Sequence, residues 1–209
     1  MHVRAPSSEI THGIASTQDF GFAMVRPDGF ARGYAEQIVD MLEAAGQLTV
    51  ITSKVSVLLD EQVDGLYPSQ HDMPYYPSMK GSMVGKAAMS LVIAGRGDVG
   101  AQLKALKGKP FDDDSTIRGR FSARHDLLFD RQEVFARTGL VMSRRFQRGV
   151  AAVIKRDDRI HSDETPAEAA HSIRVMFTDD ELTEAASRFP GLVTFLSQHL
   201  RISCARSMQ

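Results

Sequence analysis

The run Asp158-Arg159-Ile160-His161-Ser162-Asp163-Glu164-Thr165 holds the side chains most able to do chemistry in this chain. Its histidine falls at the end of an expected strand, just ahead of a well-signalled helix. Thr165 suits an N-cap, Pro166 suits the first helical position, and Glu168 completes a capping box with Thr165. A histidine held by backbone on both sides can act as a nucleophile whose ring takes up a phosphoryl group and hands it on. Metal hydrolysis through His125, His161 and His171 finds no support, because their spacing is not that of a ligand set. Cys204 is the only cysteine, so an intrachain disulfide is excluded, which fits a reducing cytoplasm.

The elements that must position this histidine can be read from hydrophobic pattern. Phe20 to Val25 is an apolar run expected as a buried strand, closed by a turn at Arg26-Pro27-Asp28-Gly29. Tyr34, Ile38, Met41, Leu42 and Ala45 share one helical face, and Gly46 follows as a C-cap. Leu48 to Leu59 predicts a second strand, and a helix follows from Asp60 to Tyr67. The prolines in His71 to Pro77 predict an irregular surface segment. Ala87 to Ala94 predicts a third strand and Val99 to Leu106 a helix. The order is the split β-α-β pattern of an α+β, ferredoxin-like antiparallel sheet with helices packed on one face.

Residues 1–17 are polar and unpatterned and are expected as a loose arm, with the domain spanning 18–178 and a helical extension over 179–209. Thr178 and Glu181 form a second capping box, and Leu192, Phe195, Leu196, His199 and Leu200 make an apolar helical face for packing on the domain or a neighbouring subunit. A net charge of -1 gives no global attraction for nucleic acid or an acidic membrane, and no apolar run is long enough to span a bilayer.

Three islands resemble the nucleoside diphosphate kinases. The first is Val25-Arg26-Pro27-Asp28-Gly29-Phe30-Ala31-Arg32-Gly33. The second is Tyr67, then Pro74-Tyr75-Tyr76-Pro77 and Met79. The third is Thr116-Ile117-Arg118-Gly119-Arg120-Phe121. After them, Ile160-His161 and Ile173 fall where the family has its active-site histidine and the following helix. The resemblance implies an NTP-dependent phosphotransferase in which His161 attacks the γ-phosphate and an acceptor diphosphate discharges the phosphohistidine. Nucleoside tri- and diphosphates are the implied substrates, magnesium the ion arriving with them, and a homo-oligomer the implied assembly.

The same resemblance implies roles residue by residue. Arg118 would clamp phosphate, since a guanidinium grips two phosphate oxygens with parallel bonds. Arg26 takes the place of an active-site lysine and keeps its positive charge there, on a planar fork instead of a point. Tyr67 would bond the phosphates or that cation. Tyr75 and Met79 would sandwich the base, and Lys104 would stand in for a second phosphate-binding arginine.

Departures from the family pattern concentrate around the histidine. Asp158 lies where the family has an asparagine at the nucleotide, and Ser172 replaces the glutamate that holds the histidine ring. Asp163 or Glu164 could substitute if the loop folds back. An insert at 122–157 carries Arg124, Arg131, Arg137, Arg144, Arg145, Arg148, Lys155 and Arg156, with a helix expected at 130–137 and a strand at 150–154. Such a basic insert suits a lid, a second anionic substrate or an oligomer contact. Two other functions therefore stand beside the first: a phosphotransferase for a non-nucleotide acceptor, and a nucleotide-binding scaffold with weakened catalysis.

Overall fold

The computed structural model describes residues 18–44, 46–109, 113–121 and 159–206, and elements are numbered over these residues. The expected arm at 1–17, the insert at 122–157 with its helix and strand, Ala45 and Asp158 lie outside them.

Four strands, β1 (Gln18–Val25), β2 (Leu48–Val57), β3 (Ala87–Arg96) and β4 (Ile160–Ser162), form one antiparallel sheet in the order β2-β3-β1-β4. This is the ferredoxin-like order. Strands β1 and β3 lie at the centre, in a register that pairs Phe22 with Val92 and Met24 with Ser90. On the other side of β1, Met24 pairs with His161 and Val25 with Ile160.

The helices cover both faces of the sheet, which corrects the one-face expectation. Phe20, Phe22 and Met24 alternate with Ala23 and Val25 along β1, and all five are buried. A strand that is apolar at both parities must be covered on both sides. The Phe22 face packs against α3 (Asp60–Leu66), α7 (Pro166–Met176), α8 (Asp179–Arg188) and α9 (Gly191–Arg206). The Ala23 face packs against α2 (Ala35–Ala44), α5 (Val99–Lys107) and α6 (Ile117–Phe121).

Two local expectations also change. Arg26 to Gly29 is not a simple turn, because Pro27 opens a short helix, α1 (Pro27–Ala31). The segment around Pro77 is not irregular throughout, since Tyr76–Met83 forms α4 with its proline in the first turn. A proline there loses no helical hydrogen bond, because that amide has no intrahelical partner.

Both capping boxes form as expected. Glu168 N donates to Thr165 Oγ1 at 3.2 Å, Thr165 N donates to Glu168 Oε2 at 3.2 Å, and Thr178 and Glu181 repeat the exchange at α8. The C-terminal helices settle on their own domain. Leu192, Phe195 and Leu196 are buried, and the Phe195 ring lies 5.5 Å from that of Phe20.

Candidate functional site

His161 sits on the short strand β4, beside the C-terminal end of β1. Its ring packs edge-on with that of Tyr67 at a centroid distance of 4.8 Å and lies tilted to that of Phe22 at 6.2 Å. Residues two apart in an extended chain point to the same side, so Asp163 follows His161 onto its face. The Asp163 amide donates to the Phe22 carbonyl at 3.3 Å, continuing the β4 ladder by one residue. His161 Nε2 then lies 3.0 Å from Asp163 Oδ1, with the side chains 15% and 7% exposed. Of the two acids considered as replacements for the missing glutamate, Asp163 makes the contact. Ser172 is buried in α7.

Glu164 turns the other way, toward cations. Lys104, in the last turn of α5, donates to Glu164 Oε2 at 2.7 Å, and Lys107 donates to the Ser162 carbonyl at 3.3 Å. The Lys104 hydrogen bond, helped by the charges of Lys107 and Arg118, holds the Glu164 carboxyl below its usual range. Arg118, on α6, also donates to the Gly108 carbonyl at 3.4 Å. Helix α5 reaches this loop because Gly100 has no side chain, and a Cβ there would stand 2.5 Å from the Glu164 carbonyl oxygen. Three cations therefore converge beside the turn that follows the histidine.

Arg26 and Arg159 are both buried, at 9% and 2% exposure. The Arg26 amide donates to the Arg159 carbonyl at 3.0 Å, which joins the end of β1 to the residue before β4. Residue 26 continues the extended chain two places beyond Met24, the partner of His161, and so lies on the histidine's side of the sheet. Arg159 donates from Nε to the Phe121 carbonyl at 3.0 Å and lies 6.0 Å from the Tyr34 ring centroid. It ties the Arg118 helix to the histidine strand.

The other wall is the pair α3 and α4, with Tyr67 at the end of α3. Tyr75 precedes α4 and is 53% exposed, while Met79 is partly buried against the core. The Met79 amide donates to the Tyr75 carbonyl at 3.0 Å, so the two residues stand one helical turn apart on one face. Lys80 lies 2.5 Å from Asp60 and 2.7 Å from Asp64, and the Tyr76 hydroxyl donates to Asp64 at 2.6 Å. Hydrogen bonds from Lys80 and then Tyr76 hold the Asp64 carboxyl below its usual range. Burial, then the Asp64 contact, push the Tyr76 hydroxyl up to about 12.

The structure thus brings Tyr67 to His161 and brings Lys104 and Arg118 to the loop just beyond it. Tyr75 and Met79 share the wall that begins at Tyr67. Asp158 is outside the described residues. Three features were missed in the sequence: Lys107, the Lys80 network, and the buried Arg159. Lys107 was findable, because it follows Lys104 by one helical turn.

The family model described as nucleoside diphosphate kinase matches residues 19–128, just over half of the chain. The chain is 32% identical over 106 residues to a nucleoside diphosphate kinase of Methanoregula boonei, covering 49% of this chain and 69% of that relative. It is 28% identical over 166 residues to one of Natronomonas pharaonis, covering 78% and 88%. A solved structure, the Borrelia burgdorferi nucleoside diphosphate kinase as a transition-state mimic with vanadate and ADP, shares the fold. Its TM-score is 0.58 at 20% identity, covering 78% of this chain and 89% of that one. With the family model matched over more than half of its length and the fold shared with a solved member, this chain belongs to the nucleoside diphosphate kinase family.

Proposed function

We propose that the protein transfers the γ-phosphate of a nucleoside triphosphate to a nucleoside diphosphate by a ping-pong reaction through phosphorylated His161. The observation that carries this is the His161–Asp163 contact, which engages Nε2 and leaves Nδ1 as the nucleophilic atom. Nδ1 attacks the γ-phosphorus, a nitrogen–phosphorus bond forms, and the bond to the β–γ bridging oxygen breaks as the diphosphate leaves with that electron pair. A terminal oxygen of the acceptor diphosphate reverses the sequence and frees the ring.

Phosphoryl transfer needs positioning and charge neutralisation more than covalent help. Arg118, Lys104 and Lys107 supply the positive charge, with Glu164 as their counter-ion until phosphate oxygens replace it. Arg26 adds charge from the β1 end. Tyr75 and Met79 hold the base by stacking and apolar contact, which selects no particular base. This donor set is cationic and suits phosphate oxygens, so magnesium would be held by the phosphates themselves, where it neutralises the charge that develops on them. A homo-oligomer is part of the same proposal, supported by the edge strand β2, which exposes Val55 and Val57.

An acceptor panel tests the reading. Discharge of the phosphoprotein by ADP, GDP, CDP and UDP alike is the expected result. Discharge by a single non-nucleotide acceptor would replace it with the specialised phosphotransferase, and nucleotide binding without discharge would replace it with the scaffold.

A further inference from the structure

We infer that Asp163 is the positioning residue that selects the reactive tautomer of His161, a role it fills from the position just past the nucleophile's own strand. This rests on the proposed chemistry of His161 and adds to it the group that makes the ring competent. An ionised carboxylate only accepts hydrogen bonds. The 3.0 Å contact between Nε2 and Asp163 Oδ1 therefore requires the proton on Nε2, which puts the lone pair on Nδ1.

The arrangement is built in by spacing and by what flanks it. His161 and Asp163 are two residues apart on extended backbone, so their side chains share a side of the sheet without any long-range folding-back. The amide of Asp163 is fixed to the Phe22 carbonyl. Glu164 is held by Lys104, and Thr165 is locked into the α7 capping box, so the chain beyond Asp163 is anchored on both sides. The ring is confined in turn between Tyr67 and Phe22.

Burial gives the contact its force. At 7% exposure the Asp163 carboxylate is shielded from solvent, and a charge-assisted bond there is stronger than its exposed equivalent. As Nδ1 bonds to phosphorus, positive charge spreads over the imidazole, and the carboxylate at Nε2 balances it. The Nε2 proton stays in place throughout, so the transfer needs no separate proton acceptor.

The test pairs nitrogen-15 NMR of the neutral His161 ring with the rate of phosphoprotein formation from MgATP, in wild type and Asp163→Asn. Asparagine keeps the size of the side chain and can donate from its amide, which permits the opposite tautomer. The expected wild-type ring is protonated at Nε2. In Asp163→Asn the Nδ1-protonated form gains population, and phosphorylation slows by about a hundredfold or more, while half-saturating MgATP stays within about twofold. An unchanged tautomer with an unchanged rate would overturn the inference. If wild type forms no phosphoprotein, the proposed function fails, and the tautomer comparison still decides the role of Asp163. Should Asp163→Asn not fold, a wild-type ring protonated at Nδ1 overturns the inference, and one protonated at Nε2 supports it.

Discussion

On the β4–α7 side of the site, His161 is held by strand pairing to β1, ring contacts with Tyr67 and Phe22, and one buried carboxylate. On the α3–α4 side, the wall carrying Tyr75 and Met79 is tied together by Lys80, Asp60, Asp64 and Tyr76. Much of that network faces solvent, with Asp60 65% exposed. The proposed nucleophile is thus under short-range geometric control, and the wall proposed to hold the base is under electrostatic control that water and salt can reach. Backbone pairing and buried contacts resist ionic strength, whereas exposed ion pairs are screened within about 8–10 Å at ordinary salt. A phosphoryl-transfer site gains from this division. The reacting atom has to stay where it is, while the wall over the base has to release one nucleotide and accept another.

The strongest way to break the contrast is to damage the geometric side. Phe22 is fully buried beneath His161, so Phe22→Ala should cost about 3–5 kcal/mol in urea unfolding. Phosphorylation should then fall with the loss of fold, at low and high salt alike. A cost under about 1 kcal/mol would show that the ring's support lies elsewhere.

Lys80→Ala addresses the electrostatic side and should act more gently. Half-saturating nucleotide should rise about twofold to fivefold, the scale of an exposed pair, with little change in melting temperature. High salt should erase the difference between wild type and variant. The same network should fail at the pH extremes, with signs set by its groups. Asp64 is depressed from 3.8, so its contribution is present above that value and is lost as pH falls through the lowered one. Tyr76 is raised from 10.0, so its contribution is present below that value and is lost as pH rises through about 12. Nucleotide affinity measured by calorimetry over pH should follow the lowered Asp64 value on the acid side. An affinity that is flat there would remove the network from nucleotide binding.

What the sequence made legible was local. Thr165, Pro166 and Glu168 announced α7, and Thr178 with Glu181 announced α8, because a cap is settled within four residues. The runs in β1 and β3 were readable for the same reason. Double-sided burial was not drawn from β1, although Ala23 and Val25 between Phe22 and Met24 carry the hint. Helix α4 was hidden by Pro77, which reads as a breaker unless the position of the first turn is known. Choosing between Asp163 and Glu164 as the histidine's partner required strand parity at the end of β4. That parity is set by pairing with Met24, a residue 137 positions away in the chain. The ion network at Lys80 joins α3 to α4 and depends on how those helices dock, which no local pattern encodes.

The most direct measurement is intact-mass spectrometry at mildly alkaline pH after addition of MgATP, with His161→Ala beside the wild type. A phosphohistidine enzyme gives a single acid-labile phosphate adduct that is absent from the variant and discharged by added nucleoside diphosphate. Nucleotide binding without any adduct, or an adduct that persists in His161→Ala, would contradict His161 as the carrier of the phosphoryl group.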